Sequence, residues 1–202
     1  MKIICIGRNY ADHISELGNE RPSEPVIFMK PDTAILKKNE PFYHPEFSNN
    51  IHHEVEVLIR IDREGKSIDP EFAENYFSEI GLGVDFTARD IQTKVKEKGL
   101  PWERAKAFNG SAPISKFISK DDFDLTDLNF RLEKNGEIAQ AGNTSLMLWN
   151  INEVISEISK FIFLKKGDII FTGTPKGVGP IKIGDRLTGF IEEQQMFDFE
   201  IK

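Results

Sequence analysis

Two glutamates two residues apart, Glu54 and Glu56, stand in the run His53-Glu54-Val55-Glu56-Val57-Leu58-Ile59-Arg60-Ile61. Val55, Val57, Ile59 and Ile61 fall on every second position, the period of a strand with one apolar face, so Glu54, Glu56, Leu58 and Arg60 share the other face. Carboxylates at i and i+2 of a strand point the same way, roughly 6.5–7 Å apart along the backbone, where they repel and raise each other's pKa. A hard divalent cation between them removes that conflict through oxygen ligands. An exposed strand face with two solvated glutamates fits the same spacing. Asp85 ends a second apolar run, Ile80-Gly81-Leu82-Gly83-Val84-Asp85-Phe86. A buried carboxylate is expensive unless paired or coordinated, which makes Asp85 the natural third oxygen ligand.

His13 and Glu16 are three residues apart in Tyr10-Ala11-Asp12-His13-Ile14-Ser15-Glu16-Leu17-Gly18, with Asn9 as a candidate N-cap and Gly18 as a stop. On a helix they share a face, so the carboxylate can orient the imidazole and raise its basicity as a general base; a surface His–Glu pair has the same spacing. Asn19 to Pro25 is polar with two prolines, a flexible connection, so residues 10–25 read as a mobile lid segment. Arg89 and Gln92 share a helix face near Asp85 and could grip a carboxylate, or be ordinary surface residues. Lys106 lies among small residues in an expected loop, where a lysine can neutralise an oxyanion or simply be solvated. His44, His52 and His53 do not match a zinc spacing and have no cysteine partners.

These residues need elements to hold them. Ile3 to Ile6, Val26 to Met29, Ile114 to Ile118, Leu128 to Leu132, Gly167 to Phe171, Arg186 to Ile191 and Met196 to Ile201 read as strands, with Asn135-Gly136 at the tip of a hairpin. Asp69-Pro70 starts a helix, Thr87 to Asp90 is a capping-box variant that opens another ending at Gly99, and Asn150 with Glu153 caps a third. Thr172 to Pro180 contains three glycines and two prolines, so its backbone can approach a ligand, but it lacks the P-loop spacing. Phe72, Phe77, Phe161 and Phe163 read as core or interface residues. The 202 residues suit one sizeable domain. The net charge of −7 argues against nucleic acid as a main partner. No apolar run has the length of a membrane span. The N-terminus reads as a first strand rather than a signal peptide, and the single cysteine, Cys5, as a core residue in a reducing, cytoplasmic setting.

In order and combination, several motifs resemble the fumarylacetoacetate hydrolase family, in its compact acylpyruvase and oxaloacetate decarboxylase branch. They are Gly7-Arg8-Asn9-Tyr10-Ala11-Asp12-His13, Phe28-Met29-Lys30-Pro31, Glu54-Val55-Glu56, Asp85-Phe86-Thr87-Ala88-Arg89-Asp90, Gly99-Leu100-Pro101-Trp102, Lys106-Ala107-Phe108, Gly142-Asn143-Thr144-Ser145 and Thr172 to Pro180. The resemblance implies a mainly β (α+β) fold, a rolled β-sandwich with short helices spanning residues 1–202 as a single catalytic domain, usually a homodimer. It implies Mg²⁺ or Mn²⁺ on Glu54, Glu56 and Asp85, a catalytic dyad of His13 and Glu16 on the lid, and Lys106 beside the substrate. Arg8, Arg89, Gln92 and Thr174 match positions placed around the substrate's oxygens. The activity expected first is hydrolysis of the C–C bond of an acylpyruvate, a 2,4-dioxo acid, through a pyruvate enolate held at the metal, with decarboxylation of oxaloacetate at the same site. Isomerisation or tautomerisation of 2-oxo acids, as in hydroxyheptadienedioate isomerases and oxaloacetate tautomerases, and a non-catalytic metal-binding protein are the alternatives.

Overall fold

The structure, a computed structural model, describes residues 1–16, 18, 20–36 and 39–202. In chain order the elements are β1 (Ile3–Gly7), α1 (Ala11–Glu16), β2 (Val26–Lys30), β3 (Ile35–Leu36), β4 (Ile51–His53), β5 (Val55–Ile61), β6 (Phe77–Val84), β7 (Thr87–Ala88), α2 (Arg89–Glu97) and α3 (Glu103–Lys106). They continue with β8 (Ala112–Pro113), β9 (Ile118–Ser119), β10 (Asn129–Lys134), β11 (Glu137–Asn143), α4 (Ile151–Phe161), β12 (Ile169–Phe171), β13 (Gly179–Pro180), β14 (Arg186–Ile191) and β15 (Gln194–Glu200). A six-stranded sheet runs β2-β1-β12-β5-β6-β9, and a four-stranded antiparallel sheet runs β11-β10-β14-β15. Smaller sheets join β13-β4-β7 and β3-β8. This is the expected mainly β architecture with short helices.

The period-two pattern of β5 sorts its side chains onto two faces, but both faces are covered. Val55, Val57, Ile59 and Ile61 enter the main core with Phe130, Leu132, Leu187 and Phe197 of the four-stranded sheet. Leu58 points the other way, into a second cluster with Ile3, Cys5, Ile169 and Phe171. The strand is therefore buried on both faces rather than half-buried, and Glu56 is in the interior. Across the ladder Glu56 pairs with Gly83. A Cβ on Gly83 would stand 2.8 Å from the Pro113 carbonyl oxygen and 2.9 Å from Leu58, so glycine is required there for β6 to lie this close.

Several local expectations hold. Asn135 and Gly136 both take positive φ (57° and 82°) at the β10–β11 hairpin, the geometry of a type I′ turn. Asn150 and Glu153 form the capping box of α4. Gly18 takes φ +62° after α1; Leu17 and Asn19, within the expected lid segment, lie outside the described residues.

Others are corrected. Asp69 caps only a 3₁₀ turn, Pro70–Tyr76. Helix α2 has no side-chain cap because its N-cap position falls on Ala88; the Thr87 hydroxyl is engaged by Lys106 and Asp90 is turned to Ser48. Residues 114–118 do not form a continuous strand: the Ser115 hydroxyl takes the Leu82 amide at 2.9 Å and interrupts the ladder, leaving a bridge at Ile114 and the short β9. Lys106 ends the helix α3 instead of sitting in a loop. Of the phenylalanines read as core or interface, Phe77 is core, whereas Phe72, Phe161 and Phe163 are exposed and so outside the core, which leaves the interface reading for them untouched.

Asn9 does not cap α1. Its buried amide donates to the carbonyls of Trp149 (3.0 Å) and Thr172 (2.8 Å) and accepts from the Trp149 N–H (2.9 Å). It thereby ties the chain entering α1 to the segments before α4 and after β12. Asn9→Ala strands a donor and two acceptors in the interior. It should lower the unfolding free energy by about 3 kcal/mol, read as a lower urea midpoint at unchanged m-value; an unchanged midpoint would contradict this role.

Candidate active site

The three carboxylates meet. Glu54 sits in the one-residue break between β4 and β5, Glu56 is the second residue of β5, and Asp85 follows β6. Each is nearly fully buried, and one oxygen from each lies within 4.8 Å of the others. The Glu54 carbonyl accepts the Asp85 N–H at 2.8 Å, which locks the two ligand-bearing segments together. Glu56 takes the Gly173 N–H at 2.6 Å. Gly173 has φ +104°, and a Cβ there would stand 2.6 Å from the Asn9 Cβ, so only glycine gives the backbone this approach.

Positive groups surround the triad. Lys106 Nζ donates to Glu54 (2.9 Å), Asp85 (2.5 Å) and the Thr87 hydroxyl (2.6 Å). Arg89 donates to Glu54 (2.5 Å) and to Gln92 (2.6 Å). Lys30, at the end of β2, is wholly buried, with its ammonium 2.8 Å from Asp85 Oδ1. Its protons go to the carbonyls of Phe86, Lys106 and Ser111 and to the Ser111 hydroxyl, so Asp85 Oδ1 accepts no hydrogen bond and the contact is purely electrostatic.

These charges split the glutamates. Burial alone would raise Glu54, but Lys106 and Arg89 outweigh it and hold that carboxyl well below the usual range. Burial, with Asp85 and Glu54 added, raises Glu56 well above it, and the Gly173 N–H offsets only part. Burial opposes the charge on Lys106, yet Asp85 and Glu54 reverse the balance and raise its pKa, so it remains an ammonium.

This environment fits a hard divalent cation. The donor set is all carboxylate oxygen, one oxygen of Asp85 is without a hydrogen bond, and an ammonium already bridges two of the three carboxylates.

His13 and Glu16 also come together, with His13 Nδ1 3.3 Å from Glu16 Oε2. Glu16 accepts the Gly177 N–H (3.0 Å), and Asp12 pairs with Lys176 (2.9 Å). The glycine-rich loop thus holds α1 over the triad. His13, the triad, Arg8, Arg89, Gln92, Lys106 and Thr174 line a cavity of about 40 Å³, together with Phe28 and Trp102. A cleft of about 720 Å³ lies elsewhere, around Phe77, Lys120 and Met147, but it gathers no such cluster, and the smaller cavity is the candidate site. All ten residues singled out from the sequence are therefore in one place. His53 bonds to Gln140 and His52 to Asn50, and neither joins the group.

Sequence reasoning assigned no part in the site to Lys30, Lys96, Thr87 or Gln140. Lys96 lines the cavity and lies four residues beyond Gln92 on α2, so the helical period that paired Arg89 with Gln92 already reaches it. A lysine closing the apolar run of β2 was a signal for Lys30. Gln140 gave none, because its partners are remote in sequence.

The sequence profile of a family described as fumarylacetoacetate (FAA) hydrolase C-terminal matches residues 2–201. A mitochondrial oxaloacetate tautomerase of Mus musculus is 44% identical over 201 residues, covering 99% of this chain and 91% of that protein. A mitochondrial oxaloacetate decarboxylase of Dictyostelium discoideum is 45% identical over 185 residues, covering 91% of this chain and 85% of that protein. The crystal structure of a fumarylpyruvate hydrolase from Pseudomonas aeruginosa in complex with Mn²⁺ and pyruvate superposes with a TM-score of 0.94 at 33% identity, covering 100% of this chain and 89% of that one.

Glu56→Gln separates folding from metal binding. It removes a buried acid that burial and its neighbours hold in conflict, so the metal-free variant should melt no lower than the parent. Its affinity for Mn²⁺ should fall by at least about 100-fold, measured by calorimetric titration. Unchanged affinity would remove Glu56 from the ligand set.

Proposed function

The chain belongs to the fumarylacetoacetate hydrolase family, and from that premise we propose that it is a metal-dependent enzyme acting on a small 2-oxo dicarboxylate of the oxaloacetate type. The observation that carries this is the charge balance of the site. With Glu56 ionised, as a bound cation would require, Glu54, Glu56 and Asp85 contribute three negative charges, and Lys30, Lys106 and Arg89, all in contact with them, contribute three positive ones. Counting the triad alone against a divalent ion leaves one negative charge. With the buried cations included, the same ion leaves two positive ones. A dianion meets that excess. The names of the relatives at 44% and 45% identity, an oxaloacetate tautomerase and an oxaloacetate decarboxylase, support the same substrate class.

Mg²⁺ or Mn²⁺ held by Glu54, Glu56 and Asp85 would supply Lewis-acid stabilisation of negative charge on the substrate's 2-oxo oxygen. The chain's own residues do the rest. Arg89, fixed by Glu54 and Gln92, and Arg8 grip a carboxylate. Lys106 places an ammonium beside developing oxyanion charge. His13, with Nδ1 turned to Glu16, is left with Nε2 to exchange a proton with the carbon beside the ketone or with the enol oxygen. Phe28 and Trp102, with ring centroids 5.7 Å apart, present apolar surface to the cavity, which lowers the local dielectric and strengthens each of these interactions. Proton movement at that carbon interconverts enol and keto forms. Loss of the far carboxylate as CO₂ leaves an enolate that takes its proton at the same carbon.

Hydrolysis of acylpyruvates stands as the second reading, because the His13–Glu16 pair can equally draw a proton from water that attacks the distal carbonyl. The Mn²⁺ and pyruvate in the fumarylpyruvate hydrolase complex favour a site able to hold a pyruvate unit.

Purified chain with Mg²⁺ or Mn²⁺ is given enol-oxaloacetate, followed by its ultraviolet absorbance, and acetylpyruvate, a monoanion at its carboxylate, with a chelator control. The expected result is chelator-sensitive turnover, with kcat/KM for oxaloacetate at least about tenfold above that for acetylpyruvate. The reverse preference would favour the hydrolase. His13→Ala should lower kcat by about 10²–10⁴-fold while leaving Mn²⁺ affinity intact; undiminished kcat would remove the dyad from the chemistry.

A further inference from the structure

Gln140 lies on β11, in the four-stranded sheet, and is 1% exposed. Its amide crosses to the elements behind the site and makes four contacts. Oε1 accepts from the Val55 N–H at 3.0 Å and lies 2.9 Å from His53 Nδ1. Nε2 donates to the Thr174 hydroxyl at 2.9 Å and to the Pro175 carbonyl at 3.0 Å.

Two of these partners have no choice of role. The Val55 N–H can only donate, and the Pro175 carbonyl can only accept. A flipped amide would set donor against donor at one end and acceptor against acceptor at the other, so its orientation is fixed. The polarity of the other two contacts follows. His53 carries its proton on Nδ1. Thr174 Oγ1 receives a hydrogen bond, which leaves its own proton for another acceptor.

Among the described residues no acceptor takes that proton, and Thr174 lines the cavity beside the carboxylate triad. We propose that Gln140 is a positioning residue that holds the Thr174 hydroxyl as a hydrogen-bond donor toward an anionic oxygen of the substrate. The proposal rests on the reading that a 2-oxo acid occupies this cavity. It gives a polar residue on the second sheet a defined part in recognition. Val55 lies between Glu54 and Glu56, so the same amide also fixes the backbone between two of the carboxylates. That is the merely structural role from which the proposal must be separated.

The test is a double-mutant cycle on the Mn²⁺-loaded protein, reading the Kd of pyruvate by calorimetry and the KM and kcat for oxaloacetate. Thr174→Val removes the donor and should raise Kd and KM about tenfold, the effect expected for a hydrogen bond to a charged group. Gln140→Met should do the same, because Thr174 loses the bond that sets its polarity. Together they should again give about tenfold, whereas independent effects would multiply to about a hundredfold. Gln140→Glu keeps an oxygen for the Val55 N–H but loses the amino donor. It should match Gln140→Met in Kd while melting closer to the parent, and it carries the cycle if Gln140→Met does not fold.

Multiplying effects, or a Gln140→Glu protein with parental Kd, would overturn the proposal. Failure of the parent chain both to bind pyruvate and to turn over oxaloacetate would overturn the functional reading instead, and the proposal with it, before any variant is made.

Discussion

Three carboxylates gathered in a dry interior repel one another by about 4 kcal/mol for each pair of charges at 4 Å, even with the moderate screening of a protein. Glu54, Glu56 and Asp85 are in that position. The structure answers with cations drawn from three separate elements: Lys30 from the end of β2, Lys106 from α3 and Arg89 from α2. None of these elements is next to β5 in the chain. Their placement around the triad therefore depends on the whole sheet order, with β1 and β12 between β2 and β5. The balance also explains why the glutamates behave differently. The lysine and arginine charges fall on Glu54, and Glu56 is left with burial and its acidic neighbours. With Glu56 ionised the three carboxylates and the three cations would cancel, and a divalent ion bound there would then leave a positive excess.

The parts behind the triad and the part above it are held differently. Behind it, Asn9, Gln140 and Thr172 make buried hydrogen bonds between segments more than 80 residues apart, and opening any one strands polar groups in the core. Above it, α1 has six residues, too few for independent stability, and is fastened partly by the exposed Lys176–Asp12 pair, which contributes little. A rigid floor under a weakly fastened cover is the distribution of local stability that substrate entry requires.

Much of the site was legible in the sequence because its signals are local. Glu54 and Glu56 stood out from the period of β5, Asp85 from its position after an apolar run, and His13 with Glu16 from helical spacing. The hairpin at Asn135-Gly136 and the cap at Asn150 are local chemistry as well. Tertiary contacts decided the rest. Asn9 has the composition of a cap, yet its amide is claimed by Trp149 and Thr172. Thr87 also has the composition of a cap, yet the cap position falls on Ala88 and Lys106 claims the Thr87 hydroxyl. The alternation in β5 predicted two faces correctly but not that the second would be covered, since Ile3, Cys5 and Phe171 arrive from β1 and β12. Lys30 and Gln140 are defined by partners that no window of sequence contains.

Lys106 now bridges Glu54 and Asp85, and the account requires that a divalent ion take over that position. Anomalous diffraction from a crystal soaked in Mn²⁺ tests this directly. The account predicts a single strong peak about 2.1 Å from one oxygen each of Glu54, Glu56 and Asp85, with the Lys106 ammonium withdrawn from between the carboxylates toward the cavity. Lys106 still bridging Glu54 and Asp85 at saturating Mn²⁺, with the peak elsewhere or absent, would contradict it.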